Sequence, residues 1–373
     1  MKKNRRRNIV KKWAGRLHLW LGLVTGLVVF IVAVTGCIYV FQDEIKDLVH
    51  DWRKVELKDG TFIKPSELRK SVKERYPTAS SNFIIYAGKD RPAAVYSVDE
   101  DKQYYFHFDP YSGEFLHAQD FDADFFDIVR NLHMYLLLPE KIGRQIVGVS
   151  TIIFLIMLVT GIILWWPKKL KNLKKNLKVK WDARWRRLNY DLHNISGFYV
   201  HILAVIVAIT GLYFSYEWVS DGIYYLGNLG KEYESDHHIE NIERKPMISE
   251  DPMDIAFYET IKIKPEDEMY FVWTEGDDHP LVTGTYPESL DFDHQSNFYF
   301  HPQTAELLQT HFYSEKSTGL KLQEMSYGLH TGQYFGLTGK ILAFFISLFV
   351  ASLPVTGFLV WWGRKNRMKH LRS

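Results

Sequence analysis

Four stretches of this chain are apolar over the ~20 residues needed to cross a bilayer, and one histidine-bearing pattern runs through all four. They span 17–41, 142–166, 193–218 and 336–362, with no Lys, Arg, Asp or Glu in their central portions. Lipid offers no hydrogen bonds, so each must close its own as a helix. Leu17-His18 is followed by Gly22 and Thr35-Gly36, and Leu192-His193 by Gly197 and Thr210-Gly211. Leu132-His133 leads to Thr160-Gly161 and Trp165-Trp166, and Leu329-His330 to Thr356-Gly357 and Trp361-Trp362. The chain therefore reads as two tandem copies of one membrane unit. The expected fold is a mainly α membrane protein with four transmembrane helices in two tandem repeats. Mean hydropathy, −0.19, hides this because the apolar residues are concentrated.

The net charge of +2 is unevenly placed. Residues 1–16 are basic without an acid, the linker 167–192 is strongly basic, and so is the tail 363–373. The positive-inside rule puts these three segments in the cytoplasm and the long segments 42–141 and 219–335 outside. In a Gram-negative cell that places the protein in the inner membrane with its large loops in the periplasm. Trp13, Trp20, Trp165, Trp166, Trp218, Trp361 and Trp362 cluster at span ends, as interfacial belts do. The basic run 168–187 is a topology determinant that also meets anionic lipid, and docking of an acidic flavoprotein there is a secondary reading. No nucleic-acid partner is expected. The single cysteine, Cys37, excludes an internal disulfide and any cluster built on thiolates of this chain alone. Val34-Thr35-Gly36-Cys37 looks like a lipoprotein box, but Thr-Gly recurs in the other three spans, so the first helix is expected to stay.

Each outer segment reads as a small α+β domain with one helix on an antiparallel sheet. In the first, 65–76 is amphipathic, and 82–86, 93–98, 104–109 and the run from Phe115 are β-like. Asp109-Pro110-Tyr111-Ser112-Gly113-Glu114 is a turn by composition. In the second, 253–263 is the helix, 269–273, 281–286 and 297–300 are strands, and the turn has drifted, with Ala305 where the first copy has Gly113.

With these features the chain resembles the PepSY-associated transmembrane family of bacterial inner-membrane proteins over nearly its whole length. The carriers are the Leu-His…Gly…Thr-Gly spans, the Thr-Gly-x-x-x-Trp-Trp endings, and the helix followed by Asp109-Pro110…Gly113-Glu114. The resemblance implies PepSY-like outer domains. It also implies kinship with haem-containing siderophore reductases, and with iron-regulated membrane proteins of unassigned activity. Some relatives are fused to flavoprotein reductase domains. Here the linker has no glycine-rich dinucleotide fingerprint, so the donor expected is a quinol or a separate cytoplasmic flavoprotein. The acceptor expected is a ferric siderophore or another periplasmic oxidant, and iron limitation would induce expression.

Read physically, a histidine in an apolar helix is a functional hypothesis by default, and imidazole is a common axial ligand of haem iron. His18 and His193 start the first and third spans at equivalent depth, so one haem between them is expected. Gly22 and Gly197, one turn on, leave room for a flat macrocycle or allow close helix packing. His133 and His330 lie 27 and 26 residues before Thr160 and Thr356, roughly 40 Å if helical throughout. That puts them at or above the outer headgroups, where a second haem is expected, with Pro139 and Gly143, or Gly332 and Gly336, breaking the helix. His201, about 12 Å deeper than His193, has no counterpart in the first span. It is read as an alternative axial ligand, a propionate partner, or a ligand of a further haem. Without Cys-x-x-Cys-His, both haems are b-type. Arg144 and Lys340 are candidates for propionates or lipid phosphates. His237-His238 reads as a solvated loop before a metal site, and His107, His117, His279, His294, His301 and His311 as scatter. Two other readings stand: a non-enzymatic, membrane-anchored binding or regulatory protein, and a haem subunit serving a separate redox enzyme.

Overall fold

The computed structural model describes residues 2–58, 60–237, 239 and 242–370, so His238 lies outside the described residues. The chain divides into two compact units. One is helical: Met1–Phe41, Val129–Val219 and Leu329–Ser373. The other is built on a sheet: Gln42–Ile128 and Ser220–Gly328.

Helices, in chain order, are α1 (Lys2–Tyr39), α2 (Gln42–Val49), α3 (Pro65–Arg75), α4 (Phe125–Tyr135), α5 (Glu140–Trp165), α6 (Leu173–Asn176), α7 (Trp185–Tyr199), α8 (His201–Tyr213), α9 (Glu217–Gly227), α10 (Pro252–Ile263), α11 (Thr318–Glu324), α12 (Ser326–Thr331) and α13 (Gly336–His370). In the helical unit α1, α5 and α13 are each long and apolar enough to cross a membrane. The third expected span, 193–218, is not one straight helix: α7 and α8 meet at a 64° bend. The Ser196-Gly197 pair lies just before it, and the Ser196 hydroxyl donates back to the Leu192 carbonyl, a known source of kinks. The bend counts as a single span only if both helices cross together. Pro354 lies inside α13. Ala33, Phe154, Leu158, Ala204, Ala208, Ile346 and Val350 form the buried centre of the bundle. Many other apolar side chains, among them Val24, Leu27, Val159, Ile202 and Phe349, remain exposed around it, as a lipid-facing surface requires.

The sheet unit departs from the expectation of two separate domains. Its strands are β1 (Ser80–Tyr86), β2 (Ala93–Asp99), β3 (Lys102–Phe108), β4 (Phe115–Asp120), β5 (Met269–Trp273), β6 (Leu281–Tyr286), β7 (Ser296–Phe300) and β8 (Leu307–His311). They form one eight-stranded sheet in the order β4-β3-β2-β1-β5-β6-β7-β8. The join is antiparallel, with Phe83 opposite Trp273 and Tyr86 opposite Tyr270. Separate sheets would leave the β1 and β5 edges with unpaired backbone groups, and each satisfies the other. One sheet face carries the main core, where α3 and α10 contribute Leu68, Val72, Met253 and Phe257 against Tyr86, Phe106, Phe298 and Phe300.

The two turns of the sequence repeat keep one geometry by different means. Asp109 Oδ1 accepts from the Tyr111 and Ser112 amides at 2.9 and 2.8 Å, and Gly113 takes φ +73°. In the second copy His301 Nδ1 accepts from the Gln303 amide at 3.2 Å, and Ala305 bears the left-handed conformation at φ 54°. His301 Nε2 donates to the Glu243 carbonyl at 3.0 Å, so both ring nitrogens are used in the turn.

Candidate functional site

Each of the four span-linked histidines meets a Thr-Gly of another helix. His18 Nδ1 lies 3.1 Å from the Met157 carbonyl and 3.0 Å from Thr160 Oγ1. His133 Nδ1 lies 2.9 Å from the Val32 carbonyl and 3.1 Å from Thr35 Oγ1. His330 Nδ1 lies 3.0 Å from the Val207 carbonyl and 3.1 Å from Thr210 Oγ1. His193 Nδ1 lies 2.9 Å from Thr356 Oγ1, and its ring also hydrogen-bonds the Leu353 backbone. The carbonyl is always the one three residues before the threonine.

This geometry fixes the proton. A carbonyl oxygen only accepts, so Nδ1 of each ring must be the donor. The threonine hydroxyls give their own protons to their helix: Thr35 to the Ile31 and Val32 carbonyls, Thr210 to Ile206 and Val207, Thr356 to Ser352 and Leu353, Thr160 to Met157. Each Oγ1 then has a lone pair for the histidine. With Nδ1 protonated, the neutral ring keeps its other lone pair on Nε2. Among the described residues no hydrogen bond takes up Nε2 of any of the four.

The glycine after each threonine receives the ring edge. A Cβ on Gly36 would lie 3.5 Å from His133 Cε1, on Gly161 3.5 Å from His18 Cε1, on Gly211 3.0 Å from His330 Cε1, and on Gly357 3.2 Å from His193 Cε1. Gly22 and Gly197 play another part. A Cβ on Gly22 would meet the Met157 methyl at 2.9 Å and one on Gly197 a Leu353 methyl at 3.6 Å. Those two glycines lie against side chains of neighbouring helices, as close helix packing requires.

The rings come together in the expected pairs. His18 and His193 have centroids 6.2 Å apart with planes at 80°, and His133 and His330 are 6.0 Å apart at 73°. The pairs sit toward opposite ends of the bundle, because Thr35 follows His18 by seventeen residues, roughly 25 Å of helix. The distance of roughly 40 Å assumed helix throughout, and the helix breaks where expected, at Pro139 and at Gly332 and Gly336. The chain reverses there: α4 stops at Tyr135, Leu136 and Leu137 adopt positive φ, and α5 starts at Glu140. Gly332 and Gly336 make the matching break before α13. Both reversals are tight, with a Cβ on Gly143 falling 2.1 Å from the Tyr135 carbonyl and one on Gly339 2.0 Å from that of Gly332. His133 and His330 are thus folded back against α1 and α8, inside the helical unit.

His201 is not brought to either pair. It opens α8 at the bend, and no side-chain hydrogen bond or ring contact joins it to another described residue. Arg144 pairs with Glu140 one turn away on α5 and lies over the Tyr135 ring. Among the described residues no group of three or more His, Cys, Asp or Glu could hold a metal ion.

The sheet unit holds a cluster that spacing alone did not reveal. Trp52 lies 4.4 Å from the His107 ring and stacks on His117 at 4.5 Å, on the face opposite the main core. His107 Nε2 bonds Gln119 Oε1 at 3.2 Å, and Gln119 donates to Asp127 at 2.6 Å. Burial drives the His107 pKa down to about 3, so the ring is neutral. The cross-strand register of His107 with His117 was the signal, but it exists only once strand pairing is known.

An apolar helical bundle with a separate antiparallel sheet unit defines a membrane protein. Residues 15–364 match the family described as PepSY-associated TM region, and the chain belongs to that family. No curated protein matches it.

Proposed function

We propose that the protein is a di-haem b oxidoreductase that carries electrons across the inner membrane to a periplasmic acceptor. The observation that carries this reading is the pairing of four imidazoles, each with Nδ1 held against a threonine of another helix. A metal bound about 2.0 Å from two facing imidazole nitrogens puts the ring centres about 6 Å apart, close to the 6.2 and 6.0 Å found. His18 with His193, and His133 with His330, would each hold one haem. Haem bound there would supply one-electron transfer.

The chain's own residues do the positioning. The threonines and carbonyls orient the rings, fix the tautomer and raise ligand basicity, as partners of metal-bound histidine do. The glycines after them let the rings lie against the helix backbone. The apolar shell keeps water away. His201 stays outside both pairs in this proposal. By resemblance the acceptor is ferric siderophore iron, and the donor a quinol or a separate flavoprotein.

The test is haem content and ferric-siderophore reduction in His133→Ala and His330→Ala. Each variant is expected to lose the same one of two haems and the reductase activity. Full haem content in both would overturn the pairing. Haem without any ferric reduction would favour the electron-transfer subunit instead.

A further inference from the structure

The sheet face opposite the main core carries a second apolar cluster in the β1, β5–β7 half. Met269, Phe271, Val282, Tyr286 and Tyr299 are buried there, with Phe83 and Trp273 against them. The absence of a side chain at Gly284 lets the Phe271 ring lie across β6, since a Cβ would fall 2.3 Å from it. These rings floor a cleft of about 640 Å³, within the range of small-molecule sites.

Its polar lining has a definite sense. Asn297 Oδ1 accepts from Lys316 Nζ at 2.8 Å, and an ammonium can only donate. Gln295 Oε1 accepts from the Tyr286 hydroxyl at 2.9 Å. With both oxygens held, the group each amide has left to present is its NH2. Lys316 is itself buried and paired with Glu324 at 2.5 Å, so the Asn297 side chain is fixed from behind. Glu275 and His279 also line the cleft, and the Glu275 carboxylate disfavours an anion. The surface is an aromatic floor with neutral donors beside it.

We propose that this cleft binds a planar, uncharged aromatic molecule bearing oxygen acceptors, of the aryl-carbonyl or quinoid class. The ring stacks on Trp273 and Phe271, and the carbonyl oxygens accept from Gln295 and Asn297. The proposal does not depend on haem in the helical unit.

Coumarin, two fused rings with one carbonyl, is a suitable probe. Saturation-transfer difference NMR on the full chain in nanodiscs, with empty nanodiscs as background, gives its affinity. Trp273→Ala and Gln295→Leu are each expected to weaken binding about tenfold, the scale of one hydrogen bond or stacking contact. Naphthalene, which lacks the acceptor, should bind about tenfold more weakly than coumarin. Haem content should not change in either variant, which separates this result from failure of the redox reading. Equal affinity in wild type and both variants, or naphthalene binding as tightly as coumarin, would overturn it.

Discussion

The hydroxyl of Thr160 sits where the His18 Nδ1 proton has to go, and three other threonines repeat the contact. Thr160→Val or Thr356→Val leaves the proton one acceptor, the carbonyl. The ring then donates less electron density, and the midpoint potential of the corresponding haem should rise in a redox titration. An unchanged potential in both variants would remove the threonines from that role. In the sheet unit, burial and the neighbouring Asp291 carboxylate hold the Asp293 carboxyl up at about 7. A carboxyl with a raised folded pKa contributes stability below about pH 3.8 that is lost as pH rises through 7. Asp293→Asn should therefore stabilise the chain by about 1–3 kcal/mol at pH 8 and hardly at pH 4. His107 has the opposite sign. Its folded pKa of about 3 lies below the ordinary 6.5, so stability present above pH 6.5 is lost as pH falls toward 3. His107→Gln should flatten that acid limb of the melting curve. The four paired histidines were legible in the sequence because an imidazole beside an apolar run is rare. Their threonine partners were visible only as repeat markers, since the contact joins different helices.

At the scale of elements, strands and surface helices followed the alternation of apolar residues closely: β5 and β6 fall on 269–273 and 281–286 as expected. The α7–α8 bend did not follow, because hydropathy is blind to helix direction, whereas the breaks before α5 and α13 fall at the expected Pro139 and at Gly332 and Gly336. The reversals set where His133 and His330 stand, and they depend on glycine. Gly143→Ala would drive a methyl into the Tyr135 carbonyl. It should cost several kcal/mol, on the scale of overpacking or worse, and release His133 from Thr35. Gly26→Ala, with its nearest contact at 3.4 Å on Pro354, should change thermal stability by less than ~1 kcal/mol. Comparable loss in both would mean the tight reversal does not position His133.

At the scale of the molecule, the sequence repeat was legible as two copies, while the joining of their outer halves into one sheet was not. Edge pairing between β1 and β5 links segments more than 180 residues apart, which no local pattern encodes. In the helical unit each histidine docks on its own copy's partner helix, and each ring faces its counterpart in the other copy. We propose that these two facing pairs hold two haems. The proposal is tested most directly by a dithionite-reduced minus oxidised spectrum of the purified full chain, with haem quantified as its pyridine complex. The expected result is a sharp b-type α band and about two haems per chain, the number two bis-imidazole sites require. No haem in protein made with ample haem supply would contradict it.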